Sequence, residues 1–209
     1  YIEGQQHGYG KCNGTSASCT VNENTVYNST IKQAIDKWYA GTTLKDNPLI
    51  SQDQIFCNDR SASSNQTVAW TIGGDYYYGA YGRLSQTTKS PQLICPEESD
   101  KFTVNTSNGN GALTYPVGLI TEDEVAMAGG VWNTSNSSYY LYTNQHYWSG
   151  SPYIFYSADS FADGFSVSSN GTIGASYVSY TSGARPVVSL SSKAKLSGSG
   201  TYSNPYTVS

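Results

Sequence analysis

The sequence predicts a single α+β domain over residues 1–209, with two helices, short strands and long loops. Two segments carry helix signals, at 29–40 and 121–128, whereas most other ordered segments are short runs of β-branched and aromatic residues between turns. A length of 209 residues fits one domain. Between about 59 and 101 the pattern has little regularity, so we expect a loop-rich insertion there.

The first predicted helix begins at Asn28 or Ser29 as the N-cap and ends near Ala40, with Gly41 as the stop. The charged residues Lys32 and Asp36 are expected to point away from the core. Four side chains recur at helical spacing and form the expected buried face: Ile31, Ala34, Ile35 and Trp38.

The second predicted helix is short and begins at Thr121. Glu124 follows three residues later, which is the spacing of a capping box, and Gly129 with Gly130 ends the helix. Val125 and Ala128 supply its inner face. The acidic residues 122–124 are explained by the positive end of the helix dipole, which favours carboxylates in the first turn.

The remaining predicted elements are strands and hairpins. Asn170-Gly171, between two strand-like runs, is a strong hairpin signal, and a second hairpin is expected in the tail at 193–208. The predicted strands cover residues 75–78, 102–104, 139–142, 165–167, 173–180 and 185–190.

All four cysteines lie in the first half of the chain, and none has the C-x-x-C spacing of a zinc or redox site. Disulfides are the natural interpretation, and three pairings are possible. We favour Cys12 with Cys19, which closes a short flexible loop, and therefore Cys57 with Cys95. Disulfides favour an oxidising compartment, while four buried free thiols are the alternative.

The composition excludes some classes of partner. Only 12% of residues are charged, the net charge is -4, and the eleven Lys and Arg are scattered, so the chain has no electrostatic footprint for nucleic acid. No apolar run reaches the roughly 20 residues that a membrane span needs. We therefore expect neither nucleic acid as a partner nor a membrane span in this chain.

The sequence contains few residues for catalysis, and no metalloprotease, P-loop, dinucleotide-binding or serine-hydrolase motif occurs. His146 lies among aromatic residues, where a structural histidine is the more usual case. Asp159 and Asp163 frame a loop-like segment whose oxygen atoms could suit Ca²⁺, although solvated loop acids are the more usual case. An enzyme would use Asp159, Asp163 or His146 for acid-base chemistry. We predict no enzyme activity and no cofactor, with Ca²⁺ as the open alternative.

The segment 149–183 is the most informative part of the chain. It contains no Lys, Arg, Glu, Gln, Met or Trp, and it is rich in Tyr, Ser and Gly. Antibody recognition loops use the same residues, because Tyr offers a large contact area at low entropic cost. Half-exposed strands are the alternative explanation. The predicted binding residues are Tyr153, Phe155, Tyr156, Asp159, Phe161, Asp163, Tyr177 and Tyr180.

Two further residues are assigned to structure. Trp148 lies within a predicted strand, where a Trp is expected to anchor the core. Arg185 precedes Pro186 and is expected to connect the final strand to a carboxylate such as Asp123.

The sequence also resembles a family of surface domains of unknown function from Gram-positive gut bacteria. The resemblance spans most of the chain, and the stretches that carry it are 29–39 (STIKQAIDKWY), 55–60 (IFCNDR), 115–130 (YPVGLITEDEVAMAGG), 147–152 (YWSGSP), 183–190 (GARPVVSL) and 200–208 (GTYSNPYTV).

That family resembles a branch of the C-type-lectin-like fold, shared with formylglycine-generating enzymes and with variable proteins of diversity-generating retroelements. The resemblance implies two helices packed on small twisted antiparallel sheets, with a ligand-binding region between the Trp-Ser and Arg-Pro strands. The copper-binding cysteines of formylglycine-generating enzymes are absent after Cys95, and so are the Glu-Pro-Asn or Gln-Pro-Asp triplets of calcium-dependent lectins. Residues 149–183 use only amino acids that retroelement diversification can reach.

Together these features predict an extracellular or cell-surface domain for ligand binding or adhesion, resembling a retroelement variable protein. The expected partner is a protein or a glycan on another cell or host surface. Two other hypotheses remain open. A hydrolase-like enzyme would use Asp159, Asp163 or His146 in a deep polar pocket, and a structural subunit of a surface filament would bury apolar assembly faces.

Overall fold

The computed structural model describes residues 29–64, 75–85, 89–156, 161–201 and 203–209, and these form a mixed α+β fold that is mostly sheet. The predicted α+β class is confirmed at this level. The elements in chain order are α1 (Thr30–Ala40), β1 (Phe56–Cys57), β2 (Asp75–Tyr77), α2 (Gly79–Leu84), β3 (Lys101–Phe102), β4 (Gly118–Leu119), α3 (Glu122–Met127), β5 (Val131–Trp132), β6 (Tyr147–Tyr156), β7 (Phe161–Val167), β8 (Thr172–Tyr177), β9 (Gly183–Ala184), β10 (Pro186–Val187), β11 (Leu196–Ser197) and β12 (Thr207–Val208).

A six-stranded sheet with the order β2-β6-β7-β8-β5 is the centre of the fold, and β9 also pairs with β6. Along one edge of the ten-residue strand β6, β9 pairs with its first residues and β2 pairs with its last residues. The other edge of β6 pairs with β7. The pairs β5–β8 and β6–β9 are parallel, so the expectation of purely antiparallel sheets is wrong for these two short strands. The sheet is therefore mixed.

Helix α1 has the predicted bounds but a different buried face. Ser29 caps it by accepting a hydrogen bond from the Lys32 amide, and Gly41 ends it. The buried side chains are Lys32, Ile35 and Tyr39, whereas Ala34 is exposed and Trp38 is 45% exposed. Burial lowers the pKa of the Lys32 ammonium, and its ion pair with Asp36 on the next turn offsets part of this cost.

Helix α3 confirms the predicted capping box. Thr121 accepts from the Glu124 amide, the Glu124 carboxylate accepts from the Thr121 amide, and Val125 is fully buried. Gly129 follows the helix with a φ of 115°, a conformation that favours glycine. However, Glu122 and Asp123 are buried rather than solvated at the helix terminus.

The region predicted as a loop-rich insertion contains more order than the sequence indicates. It includes β2, which lies within the predicted strand 75–78, and α2, a third helix that the sequence did not predict. The predicted disulfide between Cys57 and Cys95 is confirmed, with a sequence separation of 38 residues. The predicted bond between Cys12 and Cys19 lies outside the described residues. The disulfide closes the loop that carries β2 and α2, which therefore join the main sheet on a covalently closed segment.

Both predicted hairpins are present. Gly171, with a φ of 81°, forms the turn between β7 and β8, and β11 pairs with β12 in the tail. Residues 139–142, predicted as a strand, form a turn in which the Tyr142 amide bonds to the Tyr139 carbonyl. Their aromatic side chains favoured a strand, but the turn still buries Tyr139 and Leu141 in the core.

One face of the main sheet is divided between core and surface. At the end near Phe165, Val167 and Ile173, it is covered by residues of α2 and α3, including Leu84 and Val125. At the other end the same face carries tyrosines of β2, β6 and β8 that are half-buried or exposed. This uncovered end positions the candidate site.

Candidate functional site

The strand register collects polar and aromatic side chains into one row at the uncovered end of the sheet. Tyr77 lies opposite Ile154, Ile154 opposite Asp163, and Asp163 opposite Tyr177. Directly paired residues point to the same face of a sheet, so these four side chains share one surface. Within the row Ile154 is fully buried, and the side chains of Tyr77, Asp163 and Tyr177 form the surface.

Further aromatic side chains surround this row, and we call the whole group the tyrosine face. Its members come from β2, α2, β5, β6, β7, β8 and the turn that follows β8. They are Tyr77, Tyr81, Trp132, Tyr153, Tyr156, Asp163, Tyr177 and Tyr180.

Direct ring contacts hold much of the tyrosine face in place. Ring centres are 4.3 Å apart between Tyr77 and Tyr81 and 5.3 Å apart between Tyr81 and Tyr153. Tyr153 stacks on Trp132 at 5.3 Å with the planes 16° apart, and Tyr177 meets Tyr180 edge to face at 5.3 Å. Such contacts stabilise ring positions beyond simple burial, so the aromatic surface is preorganised.

An irregularity in β6 places Tyr153 within this line of rings. The register between β6 and β7 shifts between Trp148 and Pro152 and again between Pro152 and Ile154. A bulge adds one residue to a strand and redirects the side chains around it. Tyr153 is thus directed onto both Trp132 and Phe165, with which its ring makes an edge-to-face contact at 5.0 Å.

Asp163 is the charged centre of the tyrosine face. Its Oδ1 is buried and has no hydrogen-bond partner, and burial raises the pKa of this carboxyl to about 6. Burial together with the charge of Asp163 raises the pKa of Tyr156 to about 12. Burial, then the neighbouring tyrosines with Tyr81 first, and last the charge of Asp163 raise the pKa of Tyr153. These tyrosine hydroxyls therefore stay protonated at neutral pH and can donate and accept hydrogen bonds.

Four of the predicted binding residues come together on this face: Tyr153, Tyr156, Asp163 and Tyr177. Tyr180 joins them through its ring contact with Tyr177, and it is 60% exposed. Asp159 and the side chain of Phe161 lie outside what the structure describes.

Phe155 does not belong to this surface, although the sequence predicted that it would. Its side chain is 1% exposed and packs with Tyr78 and Ala162 in a separate part of the core. Neighbouring residues of a strand point to opposite faces, so Phe155 points away from the face that carries Tyr156.

Three members of the tyrosine face were missed by sequence reasoning: Tyr77, Tyr81 and Trp132. Tyr77 lies in the predicted strand 75–78 and Tyr81 in the predicted loop after it, within the region expected to be a loop-rich insertion. A usable signal was present, because Tyr77 and Tyr81 are four residues apart, the spacing that brings side chains together at a helix start. No local pattern indicates that Trp132 meets Tyr153 across two strands.

The structural assignment of Trp148 agrees with the structure, whereas the partner expected for Arg185 does not. Trp148 packs against the buried cluster around Tyr39. The guanidinium of Arg185 donates to the carbonyl of Leu141 and lies 5.1 Å from the ring centre of Tyr147. Asp123, the predicted partner, is bound elsewhere.

Asp123 belongs to an ion cluster with Asp59 and Arg83. The Arg83 Nε and Nη2 donate to the two Asp123 oxygens at 2.9 and 2.8 Å, and Nη2 lies 2.8 Å from Asp59 Oδ2. Both carboxylates are buried. We call this group the arginine cluster, and its paired charges join α2 to α3 and to the segment after β1.

A cleft of about 860 Å³ adjoins the arginine cluster, away from the predicted binding residues. Asp59, Arg83 and Asp123 line it together with apolar side chains that include the exposed Leu93 and Ile94. Cys57 and Arg185 also line it, as do residues 121, 123, 124 and 128 of the second predicted helix, and no member of the tyrosine face does. The cleft and the tyrosine face are therefore separate features.

Glu122 is a fully buried carboxyl close to the cleft wall. Neither of its oxygens has a well-formed hydrogen bond, and burial, reinforced by the neighbouring charge of Asp123, raises its pKa to about 8. The Ser149 hydroxyl offsets part of this rise, but it donates to the carbonyl of Phe165. Glu122 is consequently protonated at neutral pH.

The pair of residues considered for acid-base chemistry is separated in the structure. His146 is exposed and directly precedes β6, while Asp163 lies opposite Ile154, eight residues further along that strand. At the rise of an extended strand this separation is about 26 Å. The two side chains do not share a site.

Within the part of the chain that the structure describes, no group of three or more His, Cys, Asp and Glu residues could hold a metal ion. Over the same residues, no helix is long and apolar enough to cross a membrane. The calcium site considered for Asp159 and Asp163 stays an open alternative, since Asp159 lies outside the described residues.

In comparisons with known proteins, neither a protein-family model nor a curated protein nor a solved structure matches this chain.

Proposed function

We propose that this chain is an extracellular or cell-surface ligand-binding domain and that the tyrosine face is its binding surface. The observation that carries the proposal is the unpaired carboxylate of Asp163 at the centre of tyrosine rings from β2, α2, β6 and β8. A folded chain loses stability by keeping a partly buried charge unpaired. Such a cost is typical of sites selected for function.

The chemistry of the face supports binding rather than catalysis. It offers flat aromatic rings, hydroxyl donors and acceptors, and one carboxylate, which together recognise ligands by stacking and hydrogen bonding. His146, the general base considered from the sequence, is far from Asp163. We therefore favour a binding module over the hydrolase-like alternative.

The extracellular setting is part of the same proposal. The disulfide between Cys57 and Cys95 supports it, because such bonds persist in oxidising compartments. The C-type-lectin-like fold, and membership among retroelement variable proteins, remain proposals that rest on the sequence resemblance. In that setting the ligand is a protein or glycan on another cell or host surface.

The proposal is tested by a paired-variant binding experiment. We expect the wild-type chain to bind selected members of arrays of purified glycans and surface proteins, and Tyr156→Ala with Tyr177→Ala to lose that binding at least tenfold. Tyr206→Ala is the matched control, since Tyr206 is 59% exposed but lies next to β12 in the tail hairpin. Equal binding by the double variant and the wild type would place the ligand surface elsewhere.

A further inference from the structure

We infer that the tyrosine face binds a cationic group, an ammonium or a guanidinium, with the Asp163 carboxylate as the counter-charge and tyrosine rings around it. This inference rests on the proposed function and adds the chemistry of the ligand. The shared chemistry could come from a Lys or Arg side chain of a protein or from a small free amine.

The charge of Asp163 is the first feature that favours a cationic ligand. Asp163 Oδ1 is buried without a hydrogen-bond partner, and among the described residues no cation offsets the effect of burial on this carboxyl. A neutral ligand would cover the carboxylate further without supplying a counter-charge, and an anion would be repelled. A cation instead supplies the missing partner for a charge that is already partly desolvated.

The tyrosine rings are the second feature that favours a cationic ligand. Tyr153 and Tyr156 both lie close enough to feel the charge of Asp163, and Tyr77 and Tyr177 in turn act on Tyr156. The face of a tyrosine ring carries negative potential and attracts cations, as in the aromatic cages that bind quaternary ammonium groups. The tyrosine rings and the Asp163 carboxylate therefore both favour a positively charged ligand.

The groups on the elements around Asp163 also favour a cationic ligand. Tyr77 comes from β2, Tyr153 and Tyr156 from β6, and Tyr177 from β8, and the carboxylate of Asp75 on β2 acts on Tyr156. These elements thus contribute phenols and, beside Tyr156, a second carboxylate.

Helix α2 supplies Tyr81 and one cation, Arg83. That guanidinium is held by Asp59 and Asp123 in the arginine cluster. The cation nearest to the tyrosine face along the chain is therefore neutralised by its own partners.

Choline is a suitable probe because its uncharged isostere, 3,3-dimethylbutan-1-ol, has the same shape. With the full chain carrying ¹³C-labelled tyrosine, we expect choline and Nα-acetyl-lysine methylamide to shift the tyrosine-face resonances at pH 7. We expect no saturable shift with the isostere at equal concentration. All titrations contain a chelator, so that binding does not depend on Ca²⁺.

Protonation of Asp163 gives a second readout. Because its pKa is about 6 in the free protein, the carboxylate is largely ionised at pH 7 and about one-tenth ionised at pH 5. Choline affinity is therefore expected to fall about tenfold over this interval. Asp163→Asn should remove both the affinity and its pH dependence, whereas Asp53→Asn, at an exposed position, should retain both.

Three results would overturn the inference: equal binding of the isostere, unchanged choline binding by Asp163→Asn, or no tyrosine shift with any cation. The array experiment with Tyr156→Ala and Tyr177→Ala does not depend on the charge of the ligand. The proposed function can therefore hold even if the tyrosine face does not bind cations. A Lys-containing peptide that binds a hundredfold more tightly than choline would identify a protein source, and equal affinities would identify a free amine.

Discussion

The arginine cluster and the tyrosine face both hold aspartates away from water, yet they treat them differently. In the arginine cluster, Arg83 gives Asp123 two hydrogen bonds and also lies beside Asp59. On the tyrosine face, Asp163 keeps a buried oxygen without a partner. Aspartate thus forms an ion pair that connects elements in the arginine cluster, and it carries a charge without a counter-charge on the tyrosine face.

This contrast separates two reasons for burying a carboxylate. A buried ion pair contributes little net stability, but removing one partner is costly because the other charge stays behind. An unpaired carboxylate lowers stability from the start, and it is retained where it serves a ligand. Substitutions should therefore change stability in opposite directions in the two regions.

The largest expected effect is the loss of Arg83. Arg83→Met keeps much of the side-chain volume but leaves Asp59 and Asp123 buried without their cation, and we expect the free energy of unfolding to fall by about 5 kcal/mol. Urea denaturation measures this change. Lys37→Met, at an exposed position on α1, is the control and should change stability little. A loss below about 1 kcal/mol for Arg83→Met would contradict the structural role of the arginine cluster.

Removal of the disulfide comes next. Cys57→Ser with Cys95→Ser opens a loop of 38 residues, and the chain-entropy model gives a loss of about 4 kcal/mol. Because the loop carries both Arg83 and Tyr81, binding by the tyrosine face should weaken as well. Urea denaturation of the double variant, against the oxidised wild type, measures the stability. Equal stability of the two proteins would show that the loop is fixed by its other contacts.

Glu122 is a third kind of buried carboxyl beside Asp123 and Asp163, since burial keeps it protonated at neutral pH. Its pKa is raised to about 8, so the folded state holds a proton that the unfolded chain releases near pH 4.5. Stability is therefore full below pH 4.5 and falls as pH rises toward 8, by about 2 kcal/mol between pH 6 and 8. Glu122→Gln should flatten this part of the pH profile in denaturant titrations. An unchanged slope would assign the profile to other groups.

The smallest expected effect is also the most diagnostic. The pKa of Asp163 is raised to about 6, so its contribution to stability is full below about pH 4 and is lost as pH rises through 6. Since the side chain is half exposed and partly screened, we expect Asp163→Asn to stabilise the fold by about 1 kcal/mol at pH 7. Asp123→Asn should destabilise it. Thermal unfolding of both variants measures the two changes in stability. If both variants are stabilised, or both are destabilised, the proposed difference between the two regions is wrong.

Local rules predicted the parts of the fold that local chemistry decides. The capping box at Thr121, the stop at Gly41 and the turn at Gly171 depend on residues a few positions apart, and each is present. The buried face of α1 was predicted in part: Ile35 is buried and Ile31 packs against the same cluster, whereas Ala34 and Trp38 are exposed. Tertiary packing buries Tyr39 rather than Trp38. A helical pattern with two neighbouring aromatic residues does not show which of them is buried.

The candidate site was only partly predictable for the same reason. Composition singled out the segment that holds Tyr156, Asp163 and Tyr177, but strand alternation removes Phe155 from it. Tyr77 and Trp132 reach the site through strand pairings that no short pattern encodes. The partner of Asp123 was missed because Arg83 is forty residues away in sequence.

The alternation of side chains along β6 and β7 has a consequence for how recognition could change. Phe155 and Ala162 point into the core, whereas Tyr156 and Asp163 next to them point to the tyrosine face. The backbone hydrogen bonds between the strands do not depend on which side chains occupy the outer positions. Under the proposed function, substitutions at Tyr156, Asp163 and Tyr177 can therefore change ligand preference while the strand pairing is retained.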